Sequence, residues 1–333
     1  SGAKITHDVG VGLTIKAKSL TLQSGAVINA TGKGYAASAG SGAGANGASA
    51  SGGGGGGYGG AGGKSGASTK SGAGGQTYGD PSDPKDLGSG GGKGVQGGCA
   101  VRGGGAGGGA VILDVQEALI IEGIIDARGN RGVQADGPCG ASGGGGSGGT
   151  INIRANSFSG SGVLSVVGGN GPATTYSGGG GAGGRIALRA STNSFSGKTL
   201  VTGGTGSFSG NGKSGTLYVG SNNPNDLFVN PGVVLSLSSG ASYSSVYVLP
   251  GALLNISSPL TVRTSLVIQD GANVTMLGGS LTTASLSMSG VSRFNNTVGA
   301  VVSVGQMEIT GMVTYDGMLK TGTLNVRNGA TLT

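Results

Sequence analysis

The segment Gly148-Gly149-Thr150-Ile151-Asn152-Ile153 follows a run of nearly pure glycine, and its pattern recurs along the chain. The same glycine pair and alternating apolar residues occur at Gly108-Gly109-Ala110-Val111-Ile112-Leu113 and Gly183-Gly184-Arg185-Ile186-Ala187-Leu188, with a weaker copy at Ser214-Gly215-Thr216-Leu217-Tyr218-Val219. The second glycines of successive copies are 40, 35 and 31 residues apart. Such spacing is typical of repeat architectures, in which each unit packs on its neighbours. We therefore predict that each copy marks where a loop ends and a core strand begins.

The composition of this glycine-rich chain still allows a hydrophobic core. Of 333 residues, 81 are glycine and 10% are charged, but 35% are hydrophobic and fall in short alternating runs. Alternation with a period of two predicts half-buried strands. Collagen is excluded because the glycines cluster and do not keep a three-residue period. The net charge of +7 is spread over single basic residues, which argues against nucleic acid as a partner.

Glycine content divides the chain into zones. Residues 32–110 contain 34 glycines in 79 positions, whereas residues 221–333 contain 13 in 113. In the last zone glycines recur every 18 to 21 residues, at positions 232, 251, 271, 290, 311 and 329. Glycine tolerates the positive φ that tight corners need, so this period predicts coils of about 20 residues. We predict a glycine-rich β-solenoid with long loops over residues 1–220 and a regular β-solenoid over residues 221–333, continuous with the first.

The fold class that follows is all-β: a right-handed parallel β-helix, or solenoid, from which the glycine tracts leave and to which they return. Two interpretations of the tracts are open. They are flexible linkers, or they pack as polyglycine-II-like extended strands, which can approach closely because glycine has no Cβ atom. Strand signals bracket each tract and shorten its loop, which favours the ordered interpretation.

The two cysteines, Cys99 and Cys139, lie 40 residues apart, which is also the spacing of the repeat copies that flank them. Adjacent coils would bring them within disulfide reach, as suits an oxidising compartment; the alternative is two unpaired residues in a loop. Candidate N-glycosylation triplets, which apply if a eukaryote secretes the chain, begin at Asn29, Asn255, Asn273 and Asn295.

A polar stretch, Tyr78–Gly92, interrupts the glycine zone and carries Asp80, Asp83 and Asp86. Three carboxylates at this spacing make a weak candidate for a calcium site, since calcium binds several oxygens. The alternative is a proline-punctuated turn, and Lys85 among the carboxylates argues for it. No cofactor is predicted, because the glycine runs contain no phosphate-binding loop motif, and no metal site is predicted beyond this weak candidate.

Catalysis is not predicted. Parallel β-helices include enzymes that cleave polysaccharides, but these enzymes need clustered carboxylates or a base in a groove. Acidic residues are sparse here, and the single histidine, His7, is expected at the surface. If such an activity existed, the residues to change would be Asp114, Glu122 and Asp126.

Parts of the chain carry a family resemblance. These are Tyr78-Gly79 with Pro84 and Leu87-Gly88-Ser89-Gly90-Gly91-Gly92, then Ile125-Asp126-Ala127-Arg128-Gly129, and then Ser177–Leu188. They resemble glycine-rich segments of very large secreted surface proteins of microbes and protists, over roughly residues 20–220. Residues 221–333 resemble the β-solenoid stalks of adhesins.

The resemblance implies an extracellular or cell-surface protein with a structural or adhesive role, and it supplies no catalytic residues. We expect a building block of a surface filament or stalk, which docks end to end with copies of itself or with other parts of a larger chain. The alternative is an adhesin that binds glycans or surfaces, and a carbohydrate-active enzyme is less favoured. Insertion into a membrane is not expected, since no stretch is long and apolar enough.

Overall fold

The computed structural model describes residues 2–66, 71–136, 139–206, 210–220, 226–229, 234–296, 299–317, 320–327 and 330–332. Within these residues the regular secondary structure is β throughout, without a helix, and the named strands pair in parallel. This confirms the all-β, parallel-strand part of the predicted fold class. No helix long and apolar enough to cross a membrane occurs in this part of the chain. The chain forms two compact units, Ser1–Asn222 and Asn223–Thr333.

Two parallel sheets build the first unit. Its strands are β1 (Lys4–Thr6), β2 (Leu13–Ala17), β3 (Leu20–Leu22), β4 (Val27–Asn29), β5 (Ala110–Ile121), β6 (Ile124–Asp126), β7 (Thr150–Gly160), β8 (Val163–Ser165), β9 (Arg185–Phe195), β10 (Lys198–Leu200) and β11 (Thr216–Gly220). Mostly long strands form one sheet in the order β11-β9-β7-β5-β2, with β3 also paired to β5. Short strands form the other in the order β1-β4-β6-β8-β10.

The repeated phrase lies in register across the first of these sheets. Val111, Ile151, Ile186 and Leu217 are aligned partners on successive strands. Each of β5, β7, β9 and β11 begins on the residue after the second glycine of its phrase. The prediction that the phrase marks the start of a strand is therefore confirmed for all four copies, and that this strand belongs to the core is confirmed for the three full copies. In the three full copies the apolar positions are buried in a cluster of Ile, Leu and Val, and the alternate positions face the other side of the sheet. In the weaker copy on the edge strand β11, Leu217 and Val219 are exposed.

The glycine tracts between these strands hydrogen-bond to one another. We call this region the glycine layer, and it comprises residues 34–63, 71–76, 88–95, 102–108, 129–133, 140–148, 168–183 and 210–214. In the tract 53–57, the backbone N–H groups of successive residues donate to three different neighbouring segments in turn. Every third residue donates to the same segment. The pairs are Gly53 to Ser142, Gly54 to Ala45, Gly55 to Gly63, Gly56 to Gly145 and Gly57 to Gly42, at 2.8–3.0 Å. This period matches the three residues per turn of a polyproline II helix.

The tract 143–148 follows the same rule, which shows that the period is general to the layer. Its residues donate in turn to the tracts around 130–133, 89–92 and 179–182. The glycine layer is also too tight for side chains at its centre. A Cβ atom on Gly144 would lie 2.0 Å from the carbonyl oxygen of Gly54, where ordinary contact begins at 3.4 Å. Glycine is therefore required there by backbone proximity rather than by a positive φ.

The second unit also consists of two parallel sheets. Its strands are β12 (Leu227–Val229), β13 (Val234–Leu237), β14 (Ala241–Val248), β15 (Leu253–Ile256), β16 (Leu260–Ile268), β17 (Asn273–Met276), β18 (Ser280–Ser289), β19 (Ser292–Asn295), β20 (Val301–Thr310), β21 (Met312–Asp316), β22 (Lys320–Val326) and β23 (Thr331–Leu332). One sheet has the order β12-β14-β16-β18-β20-β22, and the other has the order β13-β15-β17-β19-β21-β23. A continuous core of Val, Leu, Ile and Met lines this unit.

Glycine occupies the predicted corners of the second unit. Gly251, Gly271, Gly290 and Gly311 have φ values of 74°, 71°, 61° and 121°. Gly25 in the first unit has a φ of 80°. These are left-handed conformations that residues with a Cβ rarely adopt, which explains the regular return of glycine. The predicted corners at positions 232 and 329 lie outside the described residues.

Candidate functional site

A polar strap crosses the outward face of the first unit's long sheet. We use this name for residues 78–87, the first part of the stretch Tyr78–Gly92 that the sequence singled out. The hydroxyl of Thr150 donates to the carbonyl of Asp86 at 2.7 Å, and the side-chain amide of Asn152 donates to the carbonyl of Pro84 at 2.9 Å. Thr150 and Asn152 alternate with core residues of β7, yet both are buried. The strap therefore covers this part of the sheet.

Asp83 anchors the strap by its charge. Its carboxylate accepts hydrogen bonds from Arg189 and, at 3.0 Å, from Asn152, and it lies 2.8 Å from the ammonium of Lys85. A fourth donor, the guanidinium of Arg154, lies 3.8 Å away. Burial raises the pKa of the Asp83 carboxyl, but the hydrogen bonds from Lys85, Asn152 and Arg189 outweigh it and hold that pKa far below its usual range.

Beside Asp83 the strap and the sheet enclose a cleft of about 280 Å³. Its charged lining carries four cations and two carboxylates, and so a formal charge of +2: Lys16, Lys85, Arg154, Arg189, Asp83 and Asp114. The floor of the cleft is a row of aligned residues on β2, β5, β7 and β9, namely Lys16, Asp114, Arg154 and Arg189. Adjacent strands lie about 4.8 Å apart, so these side chains share one surface.

Where the strap meets the glycine layer, Arg185 is buried without a carboxylate partner among the described residues. Its guanidinium donates to the carbonyl of Tyr78 at 2.6 Å and to the hydroxyl of Thr216 at 3.1 Å. It also lies 5.3 Å from the ring centre of Tyr58, a distance typical of cation–π contact. Burial lowers the pKa of Arg185 and raises the pKa of Tyr58. These contacts engage the guanidinium of Arg185 and fix the strap to the glycine layer.

The three carboxylates considered for calcium do not share one site. Asp83 is held by cations, as described above, and Asp80 accepts hydrogen bonds from the backbone and hydroxyl of Ser82 at 2.7 Å each. The described residues contain no group of three His, Cys, Asp or Glu side chains arranged to hold a metal ion. The contacts of Asp80 and Asp83 instead match the alternative interpretation, a proline-punctuated turn.

The acidic residues considered for catalysis lie in different surroundings. Asp114 lines the cleft on β5, whereas Asp126 is on β6 in the other sheet and is held at two atoms by Arg128, at 2.9 and 2.6 Å. Glu122 accepts hydrogen bonds from the backbone and hydroxyl of Ser161, at 3.2 and 2.6 Å. His7 is half-buried beside Gly109, and its Nδ1 lies 2.9 Å from the carbonyl of Asp8.

Cys99 and Cys139 form a disulfide bond, with their Cα atoms 5.8 Å apart. The side chain of Gln96 accepts a hydrogen bond from the backbone of Gly140 at 2.7 Å, which adds a second link between the two segments. The bond lies at the edge of the glycine layer, where it joins two loops from successive repeats. Its position follows from the equal spacing of the cysteines and the repeat copies.

The asparagines of the candidate glycosylation triplets lie in strands. Asn29 is in β4, and its side-chain oxygen accepts a hydrogen bond from the backbone of Thr31 at 2.9 Å. Asn255, Asn273 and Asn295 lie on adjacent strands β15, β17 and β19 and are exposed or half-buried. The third residue of the Asn295 triplet is outside the described residues. Glycosylation at all four positions stays a prediction.

Reasoning from the sequence singled out Asp83 and Asp114 for other roles but missed other residues that form the cleft. Asn152, Arg154 and Arg189 were not candidates, although the signal was present in the repeated phrase. When the phrases are aligned, the residues two and four positions after the first residue of each strand face outward. These residues form columns across the sheet. One of these columns holds Asp114, Arg154 and Arg189.

Comparisons with protein-family models, with curated proteins and with solved structures each find no match to this chain.

Proposed function

We propose that the protein is an extracellular structural building block that assembles end to end into a surface filament or stalk. The underlying fold would be a right-handed parallel β-helix, decorated in its first unit by a polyglycine-II-like layer. Each of the four sheets adds one strand per repeat, as such a helix requires. Right-handed connection is the rule for parallel strands of one sheet, and the three-residue hydrogen-bond period favours the polyglycine-II interpretation.

The observation that carries the proposal is that rows of aligned core residues run across each sheet and end on an edge strand. On that edge strand the aligned apolar residues are exposed. In the second unit, Met307 and Ile309 on β20 are fully buried, but their partners Leu324 and Val326 on β22 are 44% and 47% exposed. In the first unit, β1 ends its sheet, and Ile5 is 41% exposed although its partner Ile28 is buried. Another parallel strand on each edge would bury these residues.

A second copy of the chain can supply both strands. An edge strand presents unpaired N–H and C=O groups, which pair readily with another strand. The two edges differ, so the edge at β22 of one copy would meet the edge at β1 and β2 of the next. Contacts between different surfaces repeat without closing unless the rotation makes a ring, and they therefore produce filaments.

Negative-stain electron microscopy and sedimentation of the chain test this proposal. We expect fibres from the unmodified chain and their loss in Val326→Lys, because a charge at an exposed edge disfavours strand pairing. Leu277→Lys is the matched control, since Leu277 is 55% exposed but lies between β17 and β18, away from the edge strand β22, and this variant should still form fibres. A chain that stays monomeric at high concentration, or fibres that are unchanged by Val326→Lys, would contradict the proposal.

Adhesion to glycans is the second candidate function. It is favoured by the cleft beside Asp83, where cations outnumber carboxylates and Arg154 is half-exposed. Binding of the chain to an array of glycans tests this function independently of assembly.

A further inference from the structure

The cleft between the strap and the long sheet contains a guanidinium group, that of Arg154, with no carboxylate of the described residues at close ion-pair distance. The side chain of Arg154 is 50% exposed, and its ion-pair contact with Asp83 is long, at 3.8 Å. Asp83 is already engaged by Arg189, Lys85 and Asn152 at shorter distances. The guanidinium of Arg154 is therefore available to an anion that enters the cleft.

A second observation concerns Arg189, which lines the same cleft. The Nε atom of Arg189 is buried, and it has no hydrogen-bond partner among the described residues. An unsatisfied buried donor is costly and calls for an explanation. Arg189 and Arg154 are aligned partners on β9 and β7, so the two guanidinium groups present neighbouring donors on one surface. Guanidinium groups match the planar geometry of a carboxylate.

The rest of the lining narrows the class of anion. Asp114 also faces the cleft, and a ligand with negative charge alone would be repelled by it. A ligand that carries hydroxyl groups as well would donate hydrogen bonds to Asp114. Ile112, which is half-buried, completes the floor and offers apolar surface to a sugar ring. The cleft, at about 280 Å³, is near the lower end of small-ligand sites and suits a single residue of a chain.

We propose that this cleft binds a uronic acid residue of an acidic polysaccharide, with its carboxylate on Arg154 and Arg189 and a hydroxyl group on Asp114. The inference takes its ligand class from the second candidate function and does not depend on assembly. The strap supplies Lys85 as a further cation at the rim.

The test is calorimetric titration of the full chain with trigalacturonate at physiological salt, with the neutral galactose trimer as the matched probe. We expect saturable binding of the uronate and none of the neutral sugar. Arg154→Gln should weaken binding by about tenfold or more, as expected for the loss of a hydrogen bond to a charged group. Arg263→Gln removes the same charge from an exposed position on the second unit and should leave the affinity unchanged.

Asp114→Ala separates sugar recognition from simple attraction of an anion. Coulomb interaction alone predicts that removing this carboxylate strengthens binding of any anion. The proposed hydroxyl contact predicts that the same change weakens binding of the uronate while it strengthens binding of sulfate. Tighter uronate binding in Asp114→Ala, equal binding of the neutral trimer, or no effect of Arg154→Gln would each overturn the inference.

A glycan array distinguishes the failure of this inference from that of the second candidate function. If the chain binds neutral or sulfated glycans but no uronate, adhesion stands and the uronic acid site is wrong. If it binds no glycan, both are wrong. Arg189 is left unchanged in these experiments because it also holds Asp83 and the strap in place.

Discussion

Replacing Gly55 with alanine would test the packing of the glycine layer. Gly55 lies in the central tract, donates a hydrogen bond to Gly63 and accepts one from Gly75, at 2.8 and 2.9 Å. Its φ is not in the left-handed region, so alanine can adopt the same backbone conformation. The obstacle is space: the new Cβ atom would lie 1.9 Å from the carbonyl oxygen of Gly180 and 2.4 Å from the carbonyl carbon.

The expected loss of stability follows from that geometry. Ordinary contact begins at 3.4 Å, so the 177–183 tract would have to move by about 1.5 Å. Forcing an extra carbon into a packed interior costs about 1–3 kcal/mol. A shift of this size also breaks hydrogen bonds of the layer, each of which contributes about 1 kcal/mol. With two such bonds lost, Gly55→Ala should lower the free energy of unfolding by about 3–5 kcal/mol.

Urea unfolding followed by circular dichroism measures this difference, and Gly97→Ala is the matched control. Gly97 has nothing within 4 Å of its Cβ position and also lacks a positive φ. In both variants alanine restricts the unfolded chain and adds about 0.4–1 kcal/mol of stability, which cancels in the comparison. Equal unfolding midpoints for the two variants would refute the close packing of the layer.

Two further predictions concern the disulfide and the buried tyrosines. Cys99→Ser together with Cys139→Ser should lower the free energy of unfolding by up to about 4 kcal/mol, since the bond closes a loop of 40 residues; a urea midpoint equal to that of the oxidised chain would contradict this. Burial raises the pKa of Tyr58 and Tyr78 above the ordinary value of 10.0. Their neutral forms therefore stabilise the fold fully below about pH 10, and this contribution is lost as the pH rises through the raised pKa values. The chain has eight tyrosines and no tryptophan, so tyrosinate absorbance reports them directly; ionisation of all eight in one step near pH 10, without unfolding, would contradict the burial.

Much of the fold could be predicted because its signals are local and periodic. The glycine pair and alternating apolar residues around Ile151 indicate both where a strand starts and which side is buried. Corners such as Gly251 and Gly271 are visible because left-handed φ restricts the residue type. The disulfide between Cys99 and Cys139 could be predicted since its spacing equals that of the repeat.

The site could not be predicted in the same way because it depends on contacts between distant segments. Asp83 and Arg189 are 106 residues apart, and nothing in the local sequence of either indicates the other. The order of the glycine tracts is also non-local, since the neighbours of tract 53–57 come from several excursions of the chain. Aligning the outward positions of the phrases would have found Arg154 and Arg189 as a column, but not the strap that covers them.

Amide hydrogen exchange of glycines tests most directly whether the glycine tracts form an ordered, hydrogen-bonded layer. In protein labelled with ¹⁵N at glycine only, we expect the amides of residues 53–57, 143–146 and 178–181 to persist long after transfer to D₂O, because each donates to a backbone carbonyl of the layer. Gly97 and Gly98, whose Cβ positions are open, serve as the rapidly exchanging reference. Exchange of the layer amides at the same rate as these two residues would contradict the account and would indicate that the tracts are flexible linkers.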